Sequence, residues 1–254
     1  MKGSCGQAII SLLPLATSVA ALPGCENRGA ALNPPSDAPI LLFAGAGTSA
    51  EDVATVETIL REIHLGYSLV STSQLNAMTE PELRSYQLLI VPGGNFLKIG
   101  RNLEPSAIMR IHDAVQSGLG YLGICAAAFL AGRSTHYASL DLADVQFWFY
   151  AAIYRVHKAA VVIAGPGTPT LEQYWEDGPQ LGGWGAVIGK YPDGTPAIVE
   201  GTSGRGWVIL IGVHPEAPAS WRRGLSFTTP VDVDHAYAVT IVRAALGRTW
   251  LPHE

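Results

Sequence analysis

Leu119-Gly120-Tyr121-Leu122-Gly123-Ile124-Cys125-Ala126-Ala127-Ala128 decides how the rest of the chain is read. An apolar run of strand length ends in a cysteine and passes directly into three alanines, the best helix formers. A strand that turns into a helix at Gly-x-Cys-x-small has the pattern of a nucleophile elbow. The apex residue of such a turn sits in strained backbone, so the positions two before and two after it must lack bulk. Here they are Gly123 and Ala127. The thiol would leave the carboxyl edge of a sheet at a helix N-terminus, where partial positive charge favours thiolate over thiol. The N–H of Ala126 points into the same space and can donate to an oxyanion.

Working outward, the chain from Pro39 alternates strand and helix signals. Ile40–Phe43 is a short apolar run of the kind buried in a parallel sheet. A helix follows with Ser49 as N-cap and Glu51 and Asp52 as first-turn acids, running to about Ile63 and closed by Gly66. Tyr67–Val70 reads as a strand, Thr79–Ser85 as a short helix, Gln87–Val91 as a strand, Pro105–Gln116 as a helix and Gly120–Ile124 as a strand. Such alternation predicts an α/β fold with a flavodoxin-like, doubly wound, mostly parallel sheet. After Gly132 the pattern becomes β-rich and partly antiparallel. Ala160–Ile163, Ala186–Ile188, Ala197–Glu200 and Trp207–Ile211 are strand candidates, and Asp232–Leu246 is a closing helix.

Two further stretches carry chemistry. Val91-Pro92-Gly93-Gly94 places unhindered amides at a strand's carboxyl end, where sites in open α/β sheets gather, so Gly93 and Gly94 are oxyanion candidates beside Ala126. Ile209-Leu210-Ile211-Gly212-Val213-His214-Pro215-Glu216 delivers a histidine at the end of a buried strand, with an acid two residues later. A thiol nucleophile needs a base, and that base needs a partner to fix its tautomer. Cys125, His214 and Glu216 supply the three roles.

With these residues in view the chain resembles the class I glutamine amidotransferase-like superfamily. It is most similar to the branch named for the N-terminal domain of biotin–protein ligase, which also occurs as free-standing exported bacterial proteins. The resemblance rests on Val91–Gly94, Gly123–Ala127, Tyr174-Trp175-Glu176-Asp177-Gly178-Pro179, Tyr191-Pro192-Asp193-Gly194 and Val213–Glu216, and spans about residues 40–250. It implies a cysteine-dependent hydrolase or amidase acting on a small amide or peptide, with Trp175, Glu176 and Asp177 beside the substrate. Glutamine-using members carry Gly two residues after the nucleophile and Gln two further on; this chain has Ala127 and Phe129. Glutamine itself is therefore in doubt as substrate, and a non-catalytic, membrane-tethered binding module is the rival reading. Gly204-Arg205-Gly206 reads as a hairpin turn rather than a biotin-activating loop.

The N-terminus is read apart from the fold. Lys2 precedes the uncharged, mostly apolar run Ala8–Leu22, too short for the roughly 20 residues that cross a bilayer and of the length of a signal-peptide core. It ends in Leu22-Pro23-Gly24-Cys25, which resembles a lipobox with Cys25 as the lipid-attachment residue. Val19-Ala20-Ala21 offers ordinary cleavage as the alternative. The expected organisation is a signal peptide at 1–24, a flexible tether at 25–39 and one domain at 40–254. The protein is then exported, as a periplasmic or membrane-anchored lipoprotein that meets the membrane only through Cys25. Cys5 and Cys25 would leave Cys125 alone in the folded body, without an intramolecular disulfide.

With 48% hydrophobic and 15% charged residues there is ample core material, and a net charge of −5 argues against a nucleic-acid partner. No cofactor is expected. Gly45-Ala46-Gly47-Thr48-Ser49-Ala50 fits a dinucleotide loop in outline, but Ser71-Thr72-Ser73 stands where that site needs an acid. No metal site is expected either, since His64, His112, His136, His157, His235 and His253 are scattered. Phe147-Trp148-Phe149-Tyr150 is open between core, the interface of a homodimer and a ligand-facing cluster.

Overall fold

The computed structural model describes residues 38–135, 137–150, 156–166 and 168–254. The signal segment, Cys5, Cys25, the tether up to residue 37, and His136 lie outside the described residues.

The expected alternation organises the first half. β1 (Ile40–Phe43) and β2 (Tyr67–Val70) flank α1 (Ala50–Glu62); then come α2 (Thr72–Ala77), α3 (Glu80–Arg84), β3 (Leu88–Val91), α4 (Phe96–Asn102), α5 (Pro105–Gln116), β4 (Gly120–Ile124) and α6 (Ala126–Ala131). The second half carries β5 (Gln146–Phe149), β6 (Lys158–Gly165), β7 (Thr168–Glu176), β8 (Pro179–Gly182), β9 (Ala186–Lys190), β10 (Pro196–Ser203), β11 (Gly206–Ile211) and α7 (Val231–Gly247). Nine strands form one sheet in the order β2-β1-β3-β4-β11-β10-β9-β6-β7. Pairings from β2 to β11 are parallel, and those from β11 onward are antiparallel. The fold is thus a doubly wound, mostly parallel sheet with a β-rich C-terminal half.

Strand periodicity builds the two layers. Ile40 and Leu42 face a core shared with Val53, Val56 and Leu60 of α1 and Ile241 and Val242 of α7. Leu41 and Phe43 face the opposite core, with Leu75, Leu83, Ile99 and Val115 from α2 to α5 and the alanines of α6. A strand buried on both faces has no polar alternation, which is why β1, β3 and β4 read as unbroken apolar runs.

Several boundaries differ from the sequence reading. α1 ends at Glu62 with Ile63 as its C-cap, and His64, in the left-handed region at φ 57°, turns the chain in place of Gly66. Ser71 caps α2 through a capping box with Gln74, so Ser71-Thr72-Ser73 opens a helix. Asn95 likewise caps α4, another helix the periodicity did not signal. Gly204-Arg205 is the β10–β11 hairpin turn, as expected, with Ser203 paired to Gly206.

Candidate active site

β4 and β11 are parallel neighbours, with Ile124 opposite Ile211 in the register. Their carboxyl ends therefore release Cys125 and the Gly212–Glu216 segment side by side, although 89 residues (214 − 125) separate Cys125 from His214. The Cys125 N–H donates to the Ile211 carbonyl at 2.7 Å, which extends the ladder one residue into the turn.

Cys125 has φ 48° and ψ −100°, a strained conformation for a non-glycine residue and the one expected of an elbow apex. The demand for small neighbours is visible in the contacts. A Cβ on Gly123 would lie 2.9 Å from the Ala127 carbonyl oxygen and 2.7 Å from the Tyr121 ring. Ala127 is fully buried, and its carbonyl accepts the Tyr121 hydroxyl at 2.9 Å. Turn, strand and helix start are locked together. Cys125 is 6% exposed, and its Sγ–H donates weakly to the Glu176 carbonyl at 3.5 Å.

His214 is held from several sides. Its backbone N–H donates to the Tyr174 carbonyl at 2.8 Å. The preceding Gly212 carbonyl accepts the buried Tyr191 hydroxyl at 3.0 Å, which gives the Tyr191-Pro192-Asp193-Gly194 motif a role in placing this segment. The rings of Tyr174 and Trp221 meet the imidazole edge-on at 5.8 and 5.4 Å. Nδ1 donates to Glu216 Oε1 at 2.6 Å, which fixes the tautomer and leaves Nε2 for the Cys125 sulfur. Burial alone would lower the pKa of this imidazole. The Glu216 carboxylate and the Cys125 sulfur outweigh it and hold the group well above the ordinary histidine range.

A residue not singled out for chemistry joins them. Asp52 was expected only as a first-turn acid of α1, yet it is fully buried, with Oδ2 accepting the Gly93 N–H at 2.5 Å and lying 3.9 Å from His214 Nδ1. The signal was present: Asp52, Val56 and Ile59 share one helical stripe, and that stripe faces the core. Asp52, His214 and Glu216 bring possible ligand atoms within 4.8 Å of one another. The 2.6 Å contact between His214 and Glu216 is nonetheless that of a hydrogen bond. Two atoms bound to one ion at about 2.0–2.2 Å each stand farther apart, so this arrangement is a proton network rather than a metal centre.

The other expected site residues divide. Gly94 and Ala126 line a cavity of about 480 Å³ that opens over Cys125 and His214. Gly93 adjoins both of these residues, but its N–H is given to Asp52, leaving Gly94 and Ala126 as the amide candidates for an oxyanion. Glu176 and Asp177 line the cavity. Trp175 does not: it is 1% exposed, packs edge-on against Tyr150, and donates Nε1–H to the Gly178 carbonyl at 3.3 Å. Successive residues of β7 point to opposite faces, so placing Glu176 at the cavity sends Trp175 into the core. Glu51 adds a third carboxylate to the lining, and Phe96, Phe129, Phe149 and Trp221 add aromatic walls. Phe129 stacks on Phe96 at 4.7 Å. The run Phe147–Tyr150 is split, with Phe149 at the cavity and Tyr150 stacked on Tyr191 in the core.

Comparison with known proteins agrees with this architecture. Residues 38–146 match the family model described as "Biotin-protein ligase, N terminal". That range holds the Gly93-Gly94 and Cys125 motifs, while Tyr174–Pro179 and His214-Pro215-Glu216 lie beyond it. The chain is 26% identical over 136 residues to the pyridoxal 5'-phosphate synthase subunit PdxT of Hyperthermus butylicus, covering 46% of this chain and 67% of that protein. Among solved structures, a glutamine amidotransferase aligns with TM-score 0.56 and 19% identity over 70% of this chain and 90% of its own. A glutamine amidotransferase from Thermotoga maritima aligns with TM-score 0.57 and 11% identity over 83% and 98%. At such identities the structures speak for the fold. The chain thus shares the fold of these glutamine amidotransferase structures, and its residues 38–146 are similar to the family of biotin–protein ligase N-terminal domains.

Proposed function

We propose that this protein is a cysteine-dependent amidase, hydrolysing a small amide or peptide with Cys125 as nucleophile, His214 as base and Glu216 as the group that orients His214. The observation that carries this reading is the buried His214, bonded through Nδ1 to Glu216 and lining one cavity together with Cys125. The relationship to amidotransferases supports an amidotransferase- or amidohydrolase-like activity at the coarser level. In the reaction Cys125 Sγ bonds to the amide carbon while His214 keeps the thiol proton. The developing oxyanion is held by the amides of Gly94 and Ala126. The C–N bond then breaks as His214 Nε2 protonates the departing amine, leaving a thioester. His214 next takes a proton from water, which attacks the thioester and releases a carboxylic acid and the free thiol.

The lining supports a substrate class. Glu51, Glu176 and Asp177 make the rim anionic, and Phe129 replaces the Gln that glutamine-using relatives carry at this position. Neutral or amine-bearing amides suit such a cavity, whereas the α-carboxylate of free glutamine is repelled. The test is release of ammonia or amine from a panel of short amides, with mass spectrometry for acylated Cys125 and Cys125→Ser as control. Amine-bearing or neutral amides should be hydrolysed about tenfold or more faster than free glutamine. If no amide in the panel is cleaved and Cys125 is never acylated, the protein is a binding module on the same fold.

We also propose that the protein is exported and lipidated at Cys25, on the Lys2, Ala8–Leu22 and Leu22–Cys25 signals. Among the described residues no helix is long and apolar enough to cross a membrane; the anchor proposed is the lipid on Cys25. Cys25→Ser should move the protein from the membrane fraction to the soluble one. Wild-type protein recovered soluble, with Leu22 at its N-terminus, would mean simple secretion instead.

A further inference from the structure

The floor of the site holds two carboxyl groups for one imidazole. Glu216 Oε1 accepts His214 Nδ1–H at 2.6 Å, and Asp52 Oδ2 accepts the Gly93 N–H at 2.5 Å. The two remaining oxygens, Asp52 Oδ1 and Glu216 Oε2, are buried and have no hydrogen-bond partner. The two carboxyl groups nevertheless stand together, with an oxygen of each within 4.8 Å of the other. Two carboxylates cannot donate to one another, and leaving both oxygens bare would forfeit about 1–3 kcal/mol apiece. One proton between them satisfies both.

Its owner follows from the surroundings. Glu216 faces the imidazole directly and is the acceptor of its Nδ1–H at 2.6 Å. Asp52 sits deeper, and its second oxygen is met by a neutral backbone amide. We propose that Asp52 is a neutral positioning acid, which donates its proton to Glu216 Oε2 and so aims Glu216 at His214, while its other oxygen anchors the Gly93 amide beside the nucleophile. This rests on the reading of His214 and Glu216 as base and orienter. Burial first, and then the Glu216 carboxylate, push the Asp52 carboxyl well above the usual aspartate range, against the opposing pull of His214 and the Gly93 amide. The groups facing Asp52 are all accounted for: His214 and Glu216 from the segment after β11, and Gly93 from the loop after β3. Asp234 of α7, paired with Arg222, reaches the network only through Glu216.

A neutral Asp52 has a clear signature, because Asn offers the same donor and acceptor without an ionisable proton. In the full chain, the His214 titration is followed by NMR of the 15N-labelled imidazole, and Cys125 reactivity by iodoacetamide. Asp52→Ala should slow alkylation at pH 7 about tenfold, through the lost hydrogen bond to Glu216. Asp52→Asn should recover most of that loss and keep the His214 midpoint within about half a pH unit of wild type. Were Asp52 ionised, removing a charge 3.9 Å from Nδ1 would instead lower the midpoint by about one unit or more. That outcome, or an Asp52→Asn chain that fails to fold, overturns the proposal. Loss of the catalytic reading is distinguishable: it would appear as His214→Ala leaving alkylation unchanged, whatever Asp52 does.

Discussion

His214→Ala should slow alkylation of Cys125 at pH 7 by about thirtyfold. An unassisted thiol with a pKa of about 8.5 is only about 3% thiolate at that pH, whereas a neighbouring imidazolium stabilises the reactive anion. The imidazole in question is held well above the ordinary histidine range by the Glu216 carboxylate and the Cys125 sulfur, which outweigh the lowering effect of burial. It thus remains protonated through neutral pH and can serve as counter-ion. The sign of the pH dependence follows. Because the imidazolium is lost as pH rises through its raised pKa, the advantage of wild type over His214→Ala should be full at neutral pH and shrink in alkaline solution. Glu216→Gln keeps an acceptor for Nδ1 but removes the charge, so its loss should be smaller, about tenfold. A His214→Ala protein within threefold of wild type would end the catalytic reading. The fold and its cavity would stand, and a binding role would replace it.

What could be read before the coordinates was local. The elbow around Cys125 is legible because Gly123, Cys125 and Ala127 answer a steric demand confined to a few residues. His214-Pro215-Glu216 is legible because a buried strand announces its own end. The proximity of these stretches is not a local property: it comes from β11 inserting beside β4, a choice of strand order that leaves no periodic mark. Asp52 was missed for another reason. An acid in the first turn of a helix already has an explanation in the macrodipole, which masks its place on the buried stripe with Val56 and Ile59. Trp175 was assigned to the substrate by resemblance, and the alternation of β7 reverses that. β7 contains Pro169, a residue that central strands exclude, but β7 is an edge strand of the nine, where proline is tolerated. The short helices α2 and α4 are set by the capping side chains of Ser71 and Asn95 rather than by apolar period.

Gly93→Ala should cost Cys125 most of the reactivity that His214 gives it, with alkylation slowed by up to about thirtyfold. The new Cβ would stand 2.6 Å from His214 Cε1 and 2.7 Å from Asp52 Oδ2, with Cys125 Cβ at 3.5 Å. None of these neighbours is the loose end of a flexible chain. His214 is fixed by Glu216 on its Nδ1 side, and Asp52 is fully buried on α1. Relief therefore requires the imidazole to swing from the thiol or the Gly93 N–H to leave Asp52. Either movement separates the parts whose juxtaposition makes Cys125 reactive. Overpacking of this kind lowers stability by about 1–3 kcal/mol. The loss should stay local, because the three nearest atoms to the new methyl all belong to the site. Gly182→Ala is the matched control: its Cβ would meet nothing nearer than the Gln146 carbonyl oxygen at 3.9 Å. A folded Gly93→Ala protein that alkylates at the wild-type rate would mean that the loop after β3 can yield, and that the tight approach of Gly93, Asp52, His214 and Cys125 is not what sets the reactivity of the thiol.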